Sequence, residues 1–222
     1  MKLFNFLSDA KPPLIAQSVN DLIAMVDRAG EMFAVATGAL LDNEPLTVDL
    51  AEMDEDINLR EALIRRAVLE HVAVNPQQEL SFSLIMVSVV QDAERCGDIA
   101  KSLAKATALS NAPRMGTHVG DLSAIRDRVQ SAFPRVRRSF IVGDARAGRT
   151  VMDEHTQTKT DVAAFLAELA SADDVTPNEA VVLSISVRMI GRTSSHLSNI
   201  ISAVALPFDQ VRNSPSWGAD DA

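Results

Sequence analysis

Two pairs of oxygen-bearing side chains stand out by their spacing: Asp54 with Asn58, and Glu94 with Asp98. Residues four apart on an α-helix project from the same face, so each pair presents two ligand-capable groups side by side. Gln91 and Ser102 extend the second pair into a polar stripe, which runs beside the apolar stripe of Ile85, Val89, Cys96, Ile99 and Leu103. Asp54 and Asn58 are likewise flanked by the packing residues Met53, Ile57 and Ile64. Carboxylates at i and i+4 repel each other by a few tenths of a kcal/mol on an exposed helix, and something must offset that. A hard or borderline cation held by carboxylate and amide oxygens would do so, and Arg95 or solvent would do so more simply. If the two helices are neighbours, Asp54, Asn58, Glu94 and Asp98 converge into one oxygen-rich site.

Other chemistries find less support. The chain has no Gly-x-Ser-x-Gly elbow, Ser194 and Ser195 precede His196 directly rather than in triad geometry, and Cys96 is expected to point into the core as an inert thiol. A di-iron helical bundle would need Glu-x-x-His motifs, and none occurs. Gly38, Gly143, Gly148 and Gly191 form no phosphate-cradling loop. His155, His196 and Asn199 fall near one another in sequence and could supply a different site, although solitary histidines are more often surface or core residues. Arg126, Arg128, Arg135, Arg137 and Arg138 concentrate positive charge on one segment, either as a clamp for phosphate or an acidic partner, or as a solvated helix face.

These residues need helices to position them. Proline, glycine and asparagine divide the chain into six segments with apolar residues at spacings of three and four. The expected helices cover about residues 14–41, 47–74, 77–109, 119–142 with a bend at Pro134, 144–171 and 177–205. Strand signals are nearly absent, and there is no tyrosine. Helices of about 28 residues are roughly 40 Å long and, joined by short loops, must pack antiparallel.

The pattern repeats. Met53-Asp54-Glu55-Asp56 has a counterpart in Met152-Asp153-Glu154-His155, 99 residues on, and Arg95 matches Arg192 at a separation of 97. The fold class is therefore all-α, with two tandem three-helix bundles over residues 14–111 and 119–206. Residues 1–13 are read as an extension and 207–222 as a flexible tail.

At 222 residues and 47% hydrophobic content the chain can fill a substantial core without staples. The single cysteine excludes an internal disulfide, and Met1–Leu7 is too short an apolar patch for a signal-peptide core, which together suit the cytoplasm. No apolar run approaches the roughly 20 residues a membrane crossing needs. A net charge of −9 argues against general nucleic-acid binding. That charge is uneven: residues 1–111 hold nine basic against seventeen acidic side chains, residues 112–222 twelve against thirteen.

Glu94-Arg95-Cys96-Gly97-Asp98 resembles the Glu-Arg-x-Gly-Asp signature of the PhoU family. Asp54-x-x-x-Asn58 resembles its partner motif on the preceding helix, and Asn75-Pro76 the Gln-Pro that separates them. The likeness covers about residues 15–205. It implies a divalent or iron-type metal on Asp54, Asn58, Glu94 and Asp98, within a non-catalytic regulator of phosphate uptake and phosphate-starvation genes. The implied partners are the ATPase of a phosphate ABC transporter and a sensor histidine kinase, engaged by a homodimer peripheral to the membrane. An accessory regulator of a sodium- or proton-coupled phosphate transporter is an alternative, as is a metal-dependent helical-bundle enzyme. The second repeat departs from the signature, with Gly191 and Ser195 in place of the two acids and Gln157 in the place of Asn58. Ser102 also replaces a frequent asparagine of the family.

Overall fold

The computed structural model describes residues 12–212. These form six α-helices, α1 Pro13–Leu41, α2 Leu50–Val74, α3 Leu80–Thr107, α4 Thr117–Val142, α5 Ala145–Ser171 and α6 Pro177–Ala205, followed by a short 3₁₀ turn, Phe208–Gln210. Helices α1 to α3 pack on one another, as do α4 to α6, and the two trios are joined by α3 against α6 and by α1 against α4. The all-helical repeat architecture expected from periodicity is the one found. No described helix is long and apolar enough to cross a membrane.

The helix starts are set by side-chain caps. The Asp49 carboxylate accepts from Ala51 N at 2.8 Å and Glu52 N at 3.3 Å, so α2 begins at Leu50 rather than at Thr47. Asp144 does the same for Arg146 N and Ala147 N at the start of α5, and Thr176 for Glu179 N in α6, with Pro177 in the first turn. Glu79 holds a left-handed conformation and delays α3 to Leu80, three residues later than expected. Gly116, at φ 98°, supplies the entry to α4, which then takes Gly120 into its first turn. Helix α4 runs as one element through Pro134, which sits on the exposed side.

One continuous core fills both trios. Between them Phe133 of α4 lies against α1, with its ring centroid 5.6 Å from that of Phe33. Gly30 makes room for it, because a Cβ there would stand 3.1 Å from the Phe133 ring. The loop between the trios is pinned at both ends. Asn43 and Arg114 exchange side-chain-to-backbone hydrogen bonds of 2.9 and 3.0 Å, and the Arg114 guanidinium donates to the Ala39 and Leu40 carbonyls that end α1. Asn178 of α6 meanwhile accepts from Asn111 N and donates to the Leu109 carbonyl.

Residues 207–212 are not a loose tail. Arg212 donates from its backbone N–H to Ser202 Oγ at 2.9 Å and pairs with Asp92 of α3. The remainder of the expected extension and tail, residues 1–11 and 213–222, lies outside the described residues.

Candidate functional site

Helices α2 and α3 are neighbours, as the convergence of their polar pairs required. Their close approach depends on Gly97, where a Cβ would stand 2.8 Å from Ile57 Cδ1 and 3.4 Å from Asp54 Oδ1. Asp54 is thereby buried, while Glu94 and Asp98 sit half-buried beside it. Asn58 donates through Nδ2 to Asp54 Oδ2 at 3.0 Å. All four residues singled out by spacing are thus brought together.

Lys101, which sequence reasoning passed over, stands among them. Its ammonium lies 2.5 Å from Asp54 Oδ2 and 3.0 Å from Asp98 Oδ1. Arg95 covers the far side, with Nη1 3.0 Å from Asp98 Oδ2 and Nε 3.5 Å from Glu94 Oε2. Burial and a hydrogen bond shared with Asp98 raise the Glu94 carboxyl to about 7. Burial alone would raise Asp98 as well, but Lys101 and the Glu94 hydrogen bond outweigh it and hold that carboxyl below its ordinary range. Lys101 is held above its ordinary value by hydrogen bonds to Asp54 and Asp98, which outweigh its desolvation. Its spacing from Asp98, three residues along the polar stripe, was the signal available in the sequence.

A cation cage of the kind the resemblance implies needs these oxygens free. Here Lys101 bridges Asp54 and Asp98, Asn58 turns its amide N–H toward Asp54, and Arg95 takes the other Asp98 oxygen. Of these four residues' side-chain atoms, Asp54 Oδ1 alone is buried without a partner. As they stand, the four side chains do not fit a metal cluster, and their charge demand is met from within the chain.

The second trio closes the same place differently. Ser194, 97 residues after Gly97, lies opposite His155 of α5, whose Nδ1 is 3.0 Å from Ser194 Oγ in a buried pair. His155 therefore takes the place of Asp54, a register of 101 residues rather than 99, and Asp153, the expected counterpart, is exposed. Gln157 turns outward to Asp161 at 2.7 Å, and Ser195 bonds back to the Gly191 carbonyl at 3.2 Å. Burial, assisted by Lys159, pushes the His155 imidazole down to about 4, so it is neutral in the folded protein at neutral pH.

A further polar centre joins the trios. Asp92 of α3, 1% exposed, accepts at Oδ1 from Asn199 Nδ2 and pairs with His196 Nδ1, each at 2.9 Å, while Arg212 Nε stands 3.1 Å from Oδ2. His196 and Asn199 thus converge on an acid of the other trio, not on His155. The clue was Asp92 itself, which completes the three-and-four spacing of Ile85, Val89, Cys96 and Ile99 and so had to be buried. Cys96 is buried and its thiol is pushed upward by desolvation, as expected of an inert core cysteine.

Four of the five arginines of α4, Arg126, Arg128, Arg135 and Arg137, are ion-paired rather than open. Arg126 reaches Asp42 at 2.7 Å and Arg137 reaches Asp27 at 2.9 Å, both holding α4 to α1, while Arg128 and Arg135 pair with Asp161 and Glu154 of α5. Arg126 and Arg137 staple the trios, Arg128 and Arg135 tie α4 to α5 within the second, and these four form no open clamp for a ligand. At the opposite end, His118, Asp121 and Glu168 bring ligand-type atoms within 4.8 Å of one another, an exposed arrangement that needs no ion.

Residues 22–107 match the PhoU domain family model. The first half of the chain is thus similar to a PhoU domain. Its bounds enclose Asp54, Asn58, Glu94, Asp98 and Lys101, so the lysine-bridged acids lie inside the matched PhoU segment. The whole fold is similar to the crystal structure of PhoU from Pseudomonas aeruginosa, with a TM-score of 0.79 and 22% identity over 86% of this chain and 95% of that one. It is also similar to the phosphate transport system regulatory protein PhoU from Streptococcus pneumoniae, with a TM-score of 0.76 and 17% identity over 86% of this chain and 92% of that one. The second trio, outside the matched PhoU segment, is therefore PhoU-like in fold. No curated protein sequence matches the chain.

Proposed function

We propose that this protein is a non-catalytic regulator of phosphate uptake that acts by binding partners. The observation that carries the reading is the PhoU domain match over residues 22–107, set in a fold shared with two PhoU structures across 86% of the chain. Its partners on this reading are the cytoplasmic ATPase of a phosphate transporter and a sensor histidine kinase, met at the membrane surface by a homodimer, and the outcome is repression of phosphate-starvation genes.

Two features of the molecule support binding over catalysis. The His155–Ser194 pair is buried, so no substrate reaches it. On the first trio, Leu80, Leu84 and Val87 form an exposed apolar stripe at helical spacing along α3, and Leu59 and Leu63 do so on α2. Exposed apolar residues at such spacing suit a helical partner surface. Deletion of the gene, with a phosphate-starvation reporter read at high phosphate, tests the proposal. Derepression is expected, and an unchanged reporter would remove the regulatory claim.

A further inference from the structure

Where the acidic motif faces α6, the molecule opens a cleft of about 310 Å³. Its walls carry Arg95, Lys101 and Lys105 from α3 and Arg192 from α6, beside Asp98 and Ser102. Arg95 and Arg192 are the repeat counterparts noted in the sequence, 97 residues apart, and the packing of α3 on α6 brings them to one opening. We infer that this cleft binds a phosphate-class oxoanion, either free phosphate or the phosphoryl group of an ester.

The charge pattern is the main support. Four cations and one carboxylate line it in a chain whose net charge is −9; Lys101 and Arg95 are also answered by Asp54 and Glu94, so the uncompensated charge is that of Lys105 and Arg192. The contrast within the molecule is direct: a cleft of about 690 Å³ between α1 and α2 carries Arg28 against Glu31, Asp49, Glu52 and Asp56. Both oxygens of Asp98 are already engaged, Oδ1 with Lys101 and Oδ2 with Arg95. Its role at the cleft is thus to hold two cations in place. The side chains of Lys105 and Arg192 have no hydrogen bond or ion pair among the described residues, and their charges are left for a ligand.

The geometry suits an oxoanion in particular. Guanidinium groups offer planar forks that match the oxygens of phosphate, and ammonium groups add point charge. The unpaired ammonium of Lys105 and guanidinium of Arg192, brought to one opening, repel each other until an anion enters. Carboxylates that would serve a metal here serve to orient cations, which reverses the sign of the ligand the site selects. The inference stands on the charge of the cleft, whether or not the chain regulates phosphate uptake.

The test uses the purified full chain in phosphate-free buffer, titrated calorimetrically with inorganic phosphate and with ADP, against sodium chloride at matched ionic strength. Binding above the chloride control is expected, and the double variant Lys105→Gln with Arg192→Gln should lose at least about tenfold in affinity, equivalent to 1.4 kcal/mol. Both side chains are exposed, so the variant should keep the wild-type circular dichroism and melting profile. Binding of phosphate itself identifies the free anion, and binding of ADP alone identifies a phosphate ester. Heats no larger than with chloride, or a double variant that binds as tightly as wild type, would overturn the inference.

Discussion

The two trios close the same gap in opposite ways. In the first, Asp54 is buried against Gly97 and answered by an ammonium, within a group of five charged side chains. In the second, His155 is buried against Ser194 and answered by a hydroxyl, with no charge at all. A polar group taken out of water must be partnered, but the fold is indifferent to whether the partner is ionic or neutral. The acidic signature is therefore not what holds a three-helix unit of this kind together. What both units keep is a small residue on the third helix, Gly97 or Ser194, that lets the middle helix come close.

The sharpest way to break this comparison is to remove the ammonium. Lys101→Ala leaves Asp54 buried without its counter-charge and should cost about 3–5 kcal/mol, while Ser194→Ala, which takes the hydroxyl from His155, should cost about 1–2 kcal/mol. Urea unfolding of both variants measures the gap. If the pair cost the same, the ionic and neutral closures would not differ in kind. The same experiment bears on metal: wild-type protein should carry no stoichiometric iron, manganese or zinc by elemental analysis, and added Mn²⁺ should restore part of the stability of Lys101→Ala.

Acid should separate the units next. The folded imidazole of His155 titrates at about 4 against 6.5 unfolded, so between these values the unfolded chain binds more protons and stability rises with pH. The loss on acidification across that window should be about 2 kcal/mol after allowance for solvent screening, and His155→Leu should abolish it. Glu94 has the opposite sign. Its folded carboxyl is raised to about 7 from 4.5, so the folded state binds more protons there and stability falls as pH climbs through the window. Glu94→Gln should remove that fall, read as urea midpoints from pH 4 to 8. Parallel slopes in the two variants would contradict the assignment.

The smallest expected effect concerns the close approach itself. Gly97→Ala drives a methyl to within 2.8 Å of Ile57 Cδ1 and should cost about 1–2 kcal/mol. Gly191→Ala meets Val162 Cγ2 at a looser 3.1 Å and should cost less. Thermal unfolding of the two proteins ranks them, and equal losses would mean that the α2–α3 approach is not the tighter one.

Much of this was legible before the fold was seen. Six helices and their pairing into trios follow from apolar spacing and from proline and asparagine punctuation, because helix packing reads the same period that sequence displays. The convergence of Asp54, Asn58, Glu94 and Asp98 was legible for the same reason. Lys101 was not, since a lysine on a helix face is ordinarily solvated and only the reach of its side chain across to Asp54 shows otherwise. The match of Asp54 with His155 was hidden by the likeness of Met53-Asp54-Glu55 to Met152-Asp153-Glu154: local resemblance favoured one register, and burial, which sequence does not print, favours another. The role of the α4 arginines was likewise undetermined, because their acidic partners come from helices distant in sequence.

The loop between the trios bears on how the molecule transmits force. Arg114 and Asn43 tie it to the end of α1, and Asn111 and Leu109 tie it to the start of α6, so it is a clasp with an anchor on each half. A partner pulling on the first trio would drag the second along instead of swinging about a hinge. The two trios, and the charged cleft at the seam of α3 and α6, should then move together as one body.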